Sequence, residues 1–293
     1  MGKEHPLVAT SLNNLGVFYH TQRNYAASET MHLRSLAIVE KVLDKEHPDV
    51  GQTLNNLARL YWAKEDITRT TDFLTRGLAV EEKNLHLIYA VGSEQRKQNY
   101  AQTFTGRTDA VVTLALEKSS KNPNIAKLAL TTVLRRKGRV LDAMTDTVQI
   151  LRSQLADNPE TKKLFDDWLD VQRRLANLIY RGQGKQKFEI YQQQIKQLQV
   201  EKERLEEQVS VRSAEFRKEI TPVELADIQA KIPSDAAMVE IVQYKPFNPK
   251  AKNNQKKWDK PRYAVVVLRN TGEPKWVDLG DAATIDKSVA NFR

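Results

Sequence analysis

The sequence contains no cysteine. Disulfides, thiolate metal sites and a cysteine nucleophile are therefore excluded from this chain, and a cytoplasmic location is the simplest fit. No run of about 18 apolar residues occurs, so no transmembrane helix and no membrane partner are expected. The opening Met1-Gly2-Lys3-Glu4-His5-Pro6 lacks the apolar core of a secretory signal. Histidine is scarce, with 5 in 293 residues, and none has the spacing of a zinc ligand pair. GxSxG, P-loop and HExxH patterns are absent, so neither metal nor cofactor is expected and no catalytic residue is assigned. The neighbouring Asp166 and Asp167 fall on a charged helix and read as solvent-facing.

What is present is ordinary soluble composition, 40% hydrophobic and 28% charged, with a formal net charge of +9. That length and composition allow one to three domains with real cores. The positive balance raises nucleic acid as a partner. Its two local clusters are Arg135-Arg136-Lys137-Gly138-Arg139 and the stretch 250–262. Lys and Arg are otherwise dispersed among acids, without the aromatic interleaving of a nucleic-acid stripe. A basic helical scaffold binding nucleic acid or a ribonucleoprotein is therefore the alternative reading, not the leading one.

The dominant signal is an internal echo. His5-Pro6-Leu7-Val8-Ala9-Thr10-Ser11-Leu12-Asn13-Asn14-Leu15 returns as His47-Pro48-Asp49-Val50-Gly51-Gln52-Thr53-Leu54-Asn55-Asn56-Leu57, each residue 42 further on (47 − 5). Val8, Leu12, Leu15 and Tyr19 mark one helical face, and a second helix follows after the polar turn Gln22-Arg23-Asn24. Gly16 and Ala58 share one repeat position, where a small side chain lets helices approach. A hairpin of this size cannot bury its apolar face alone, so a repeat of this period signals a solenoid and makes binding the first functional expectation. About three units are usually needed, which leaves either further repeats upstream or later helices as the cap. His5 and His47 fall in the inter-unit turns and read as structural.

These residues resemble tetratricopeptide repeats of the long, kinesin-light-chain type. The resemblance implies that the stripe Thr10, Asn13, Val17, His20 and its repeat Gln52, Asn55, Arg59, Trp62 lines a concave groove for a protein or peptide ligand. Asn13 and Asn55 would either hydrogen-bond a peptide backbone or tie adjacent helices. Asn14 and Asn56 flank the stripe and are read as ties.

Beyond residue 85 the strict repeat fades while helical periodicity persists. Thr108-Asp109 reads as a helix start, Asn122-Pro123 and Pro159 as breaks, and the Trp168 and Leu169 stripe as packing. Phe188, Tyr191, Ile195, Leu198, Lys202, Leu205, Val209, Arg212 and Phe216 form a heptad seam, expected to make a helical hairpin or coiled coil and possible self-association. Composition changes class after residue 218. A short helix over 223–230, strands over 237–244, 263–268 and 276–279, a basic loop over 245–261 and a helix from Ile285 are predicted.

Thr131-Thr132-Val133-Leu134-Arg135-Arg136-Lys137-Gly138, Arg262-Tyr263-Ala264-Val265-Val266-Val267-Leu268 and Trp276-Val277-Asp278-Leu279-Gly280 resemble the connecting helices and opening strands of a CHAT domain, a caspase- and separase-like module. That resemblance implies a cysteine endopeptidase with a His–Cys dyad further downstream in a longer parent. This chain has no His after His86, so no dyad residue is carried over. The expected architecture is mainly α. Two tetratricopeptide repeats occupy 1–85, linker helices 86–186, a coiled-coil-like helix 187–218, and an incomplete α/β segment 219–293.

Overall fold

The two histidine-proline pairs start helices. His5 and His47 are N-caps whose Nδ1 atoms accept the amides of Leu7 and Asp49, each at 3.2 Å. Pro6 and Pro48 sit in the first turn, where a missing N–H leaves nothing unsatisfied. From these starts run α1 (Pro6–Thr21) and α3 (Pro48–Ala63), each followed by an antiparallel partner, α2 (Tyr25–Val42) and α4 (Ile67–Ala90). Arg23 and Glu65 take φ of 60° and 64° in the matching turns. Leu12, Leu36, Val39, Val50, Leu54, Leu57, Leu60 and Tyr61 make a continuous core through both hairpins.

The computed structural model describes residues 4–90, 93–137, 158–184, 186–214, 224–252 and 256–292. Eleven helices and three strands lie among them. The chain divides into two compact units, one made of residues 1–84, 104–137 and 222–293, the other of 85–103 and 138–221.

In the first unit a third helical pair, α6 (Thr105–Lys118) and α7 (Pro123–Arg136), packs on α3 and α4 through Val111, Leu114, Ala115, Ile125 and Ala129. α5 (Glu94–Thr103) and the end of α4 fall in the second unit; the breaks between units come after residues 84, 103, 137 and 221, and residue 186 lies inside the second unit. The segment 86–186 is shared between them. Residues 104–137 join the repeats because their apolar faces complete the repeat core. α6 begins three residues before the expected Thr108-Asp109 start, because Asp109 faces inward instead of capping. Burial raises the Asp109 carboxyl to about 6, against the pull of the Lys245 amide.

After α10 (Leu225–Ala230), the strands β1 (Ala237–Tyr244), β2 (Arg262–Arg269) and β3 (Lys275–Asp281) form an antiparallel sheet in that order. The register pairs Ile241 with Val265 and Val265 with Val277. Strand alternation sends Ala264, Val266 and Leu268 onto the α6–α7 pair, and Trp276 Nε1 donates to the Ala126 carbonyl at 3.1 Å. The opposite face, with Val239 57% and Ile241 59% exposed, has no layer over it among the described residues. The chain closes on α11 (Ala282–Phe292).

The second unit is a helical hairpin, α8 (Pro159–Arg181) and α9 (Phe188–Ala214), joined by α5. The heptad seam is occupied within the chain. Leu205 and Val209 are buried against Phe165, Trp168 and Val171, and Arg212 Nε donates to Thr161 Oγ1 at 3.1 Å. Phe216 lies outside the described residues.

Candidate partner-binding groove

The repeat spacing places Thr10, Asn13, Val17 and His20 along α1, and Gln52, Asn55, Arg59 and Trp62 along α3. Their fates differ. Asn13 and Asn55 turn inward as ties. Asn13 Oδ1 lies 2.9 Å from His32 Nδ1 and accepts Asn56 Nδ2 at 3.1 Å. Asn55 Nδ2 donates to Glu81 Oε1 at 2.8 Å, and its carbonyl presses against Gly77, where a Cβ would meet Asn55 Oδ1 at 2.5 Å. Glu81 belongs to a buried network, 2.6 Å from Arg107 Nε and 2.9 Å from Arg136 Nη2, while Arg136 Nε reaches Glu82 at 2.9 Å. Burial pushes the Glu81 carboxyl upward and the two arginines pull it back. Thr10, Asn14 and Gln52 are exposed, and Val17, Asn56 and Arg59 half-buried. The amides left open are thus Asn14 and Gln52, whereas Asn56 joins Asn13 as a tie between the first helices of the two hairpins.

The distal end of the stripe is covered by the chain itself. Residues 246–252 and 256–259 lie back over it as two short arms, bridged at Phe247 and Trp258 and by Asn248 N to Lys257 O at 2.9 Å. The Phe247 ring lies 5.4 Å from Trp62 and 4.8 Å from Trp258, and its amide donates to Thr113 Oγ1 at 3.1 Å. Lys250 Nζ reaches Glu65 at 2.7 Å, and Trp258 fills the space beside Gly106, where a Cβ would meet the indole at 3.0 Å. Trp62 consequently retains 5% exposure. His20 is equally enclosed. Burial lowers it to about 3, helped by Arg59, His32 and Lys257; the Arg59 carbonyl lies near the ring but short of hydrogen-bond geometry. His32 is lowered to about 4 by burial and then by Arg59.

Neither Phe247 nor Lys257 was legible as a groove residue. The only sequence signal was an aromatic pair inside an otherwise polar loop. The basic run Arg135–Lys137 is taken up by carboxylates, Arg135 with Glu224 at 2.6 Å, Arg136 with Glu81 and Glu82, and Lys137 with Glu240 at 2.6 Å. Among the described residues no group of three histidines or acids could hold a metal ion, and no helix is long and apolar enough to cross a membrane.

Stacked antiparallel helical hairpins with a residue stripe repeated on α1 and α3 form a helical-repeat solenoid. The family model described as Tetratricopeptide repeat matches residues 7–83, which covers both sequence repeats. Tetratricopeptide repeats generally mediate protein–protein interaction. No curated protein matches the chain.

Proposed function

We propose that the chain is a protein-interaction scaffold that holds an extended peptide segment of a partner along α1 and α3. The observation that carries this reading is the row of exposed polar side chains Thr10, Asn14 and Gln52 beside a well-packed core. Amides of this kind can match the donors and acceptors of an extended backbone. Asn13 and Asn55 contribute by fixing the helices. The test is a pull-down of partner with the full chain. Asn14→Ala combined with Gln52→Ala should lose the partner, while Arg34→Ala on exposed α2 surface should keep it. Equal recovery with all three proteins overturns the proposal.

The finer reading is that this scaffold is the regulatory, sensor part of a tetratricopeptide–CHAT cysteine endopeptidase whose catalytic residues lie in another part of the parent protein. It is supported by the strand motifs quoted above and by a sheet whose second face, Val239, Ile241 and Val277, is apolar and, among the described residues, exposed. Exposed apolar strands of this length are expected to be covered by further structure. A similar observation supports an additional hairpin before α1. Leu57 and Leu60 are fully buried by the preceding hairpin, whereas their repeat equivalents Leu15 and Phe18 are 46% and 55% exposed. A parent reading frame carrying a His and later a Cys downstream is the expected result, and a frame lacking them overturns the peptidase assignment.

A further inference from the structure

The hairpin of the second unit ends in an apolar, basic tip. Along its length Leu175, Leu178, Tyr191 and Ile195 are half-buried. Toward the turn this protection ends: Tyr180 is 93% exposed, and Ile179, Phe188 and Ile190 are exposed with it. Phe188 opens α9 just past the reversal, where α8 has already ended at Arg181, so the heptad spacing runs past the end of the facing helix. The turn itself stands in open space. Gly182 and Gly184 have φ of 65° and 61°, and a Cβ on either would meet nothing within 4 Å. Charge at the tip is of one sign, because the sequence from Val171 to Phe188 contains no Asp or Glu. Arg174 is answered from outside that stretch, by Asp170 at 3.8 Å and Glu201 at 3.9 Å. Exposed Arg173, Arg181 and Lys187 make no ion pair among the described residues.

Large apolar side chains clustered in water beside unanswered cations mark a surface built to meet something. We propose that the tip of the α8–α9 hairpin docks on the surface of an anionic lipid bilayer. Ile179 and Tyr180 lie in the last turn of α8, and Phe188 and Ile190 in the first turn of α9. At the helical rise all four fall within about 5 Å of the helix ends. An interfacial element sinks its apolar side chains about 5–10 Å into the boundary between headgroups and acyl chains, so one shallow insertion covers the four together. Arg181 and Lys187 flank the turn and meet lipid phosphates and carboxylates there. The Tyr180 ring enters the apolar layer while its hydroxyl stays with the headgroups. A convex tip exposed on both helices suits a planar surface, whereas an acidic protein partner would need a matching cavity. A second copy fits less well, because two tips of the same charge repel. Nucleic acid would use the cations and the two aromatic rings but would gain little from Ile179 and Ile190. The contact is peripheral and needs no helix able to cross a membrane; it is also independent of the peptide-groove reading.

The test is flotation of the full chain, in low salt, with vesicles of phosphatidylcholine alone and of phosphatidylcholine containing about 30% phosphatidylserine. The wild type should float with the anionic vesicles, bind phosphatidylcholine at least about tenfold more weakly, and be released as salt rises. Ile179→Ser combined with Tyr180→Ser, and separately Arg181→Gln combined with Lys187→Gln, should each weaken binding by about tenfold. All four side chains are exposed, so both variants should melt as the wild type does, which separates loss of the tip from failure to fold. Val200→Ser is the control. That residue is apolar and exposed on α9 but about 18 Å from the tip (200 − 188 residues at the helical rise), and its variant should bind as the wild type does. Tyr180→Trp reads depth, and the added emission should shift to the blue on anionic vesicles. Absence of flotation, equal binding of the wild type and both tip variants, or equal binding to phosphatidylcholine alone overturns the proposal. A single-stranded oligo(U) bound more tightly than the vesicles and lost in the same variants overturns it in favour of nucleic acid. Concentration-dependent dimerisation abolished by the tip variants overturns it in favour of a second copy.

Discussion

Phe247→Ala probes the joint between the C-terminal segment and the repeats. The ring is buried against Trp62 and Trp258, with centroids 5.4 Å and 4.8 Å away. Truncating a buried phenylalanine costs about 3–5 kcal/mol through lost transfer energy and the cavity left behind. Two features place this site at the lower end. The surface arms 246–252 and 256–259 can relax toward solvent, and two cations lose their ring but also move apart. A loss of about 3 kcal/mol is therefore expected for the first unit. Urea unfolding followed by tryptophan emission suits the measurement, because Trp62, Trp258 and Trp276 belong to the first unit and Trp168 to the second. Acrylamide should also quench Trp62 more readily in native buffer, since its cover has gone. Phe292→Ala is the control, because that ring is 94% exposed and its removal should stay within about 0.5 kcal/mol. If the two variants unfold at the same urea concentration and quench alike, the arms do not pack on the stripe as described, and the reasoning fails.

Two further outcomes follow from the buried histidines. A Cβ on Gly16 would lie 2.6 Å from the buried His32 ring, so Gly16→Ala should cost about 1 kcal/mol net, overpacking exceeding the gain in helix propensity. The second repeat holds Ala58 and Leu74 at the same two positions, so adding His32→Leu should restore the chemical-denaturation midpoint; a double variant no better than Gly16→Ala would refute the clash. The pH dependence has a defined sign. His20 and His32 titrate near 3 and 4 in the folded chain against an ordinary 6.5. Only the unfolded chain takes up these protons as pH falls below 6.5, so folding weakens by about 1.4 kcal/mol per unit for each ring. Asp109, raised to about 6 from 3.8, works in the opposite direction and regains part of that loss. Two rings against one carboxyl leave a net loss of about 2 kcal/mol from pH 7 to pH 5. A urea midpoint that holds or rises over that range would refute the buried neutral imidazoles.

The repeat register, the two helix starts and the strand at 237–244 are local properties, and the sequence carries them openly. A capping side chain acts two residues away, a proline fixes its own φ, and alternation or helical spacing needs only one segment to be seen. The same holds for the stacked-repeat fold, which follows from a hairpin too small to bury its own face. The inward turn of Asn13 and Asn55 was not legible, because it depends on His32 and on Glu81, residues in the following helix whose identities break the repeat. The third hairpin was hidden by the interruption at 85–103, which removes the 42-residue spacing while leaving the apolar faces of α6 and α7 complementary to α3 and α4. Most remote of all is Phe247 on Trp62, a contact across 185 positions (247 − 62). Sequence alone placed Arg59 and Trp62 on a partner-facing stripe. Tertiary structure decided that Trp62 is already covered and that Arg59 and Lys257 both reach the Phe247 ring, because burial and charge placement belong to the folded surface and not to any one segment.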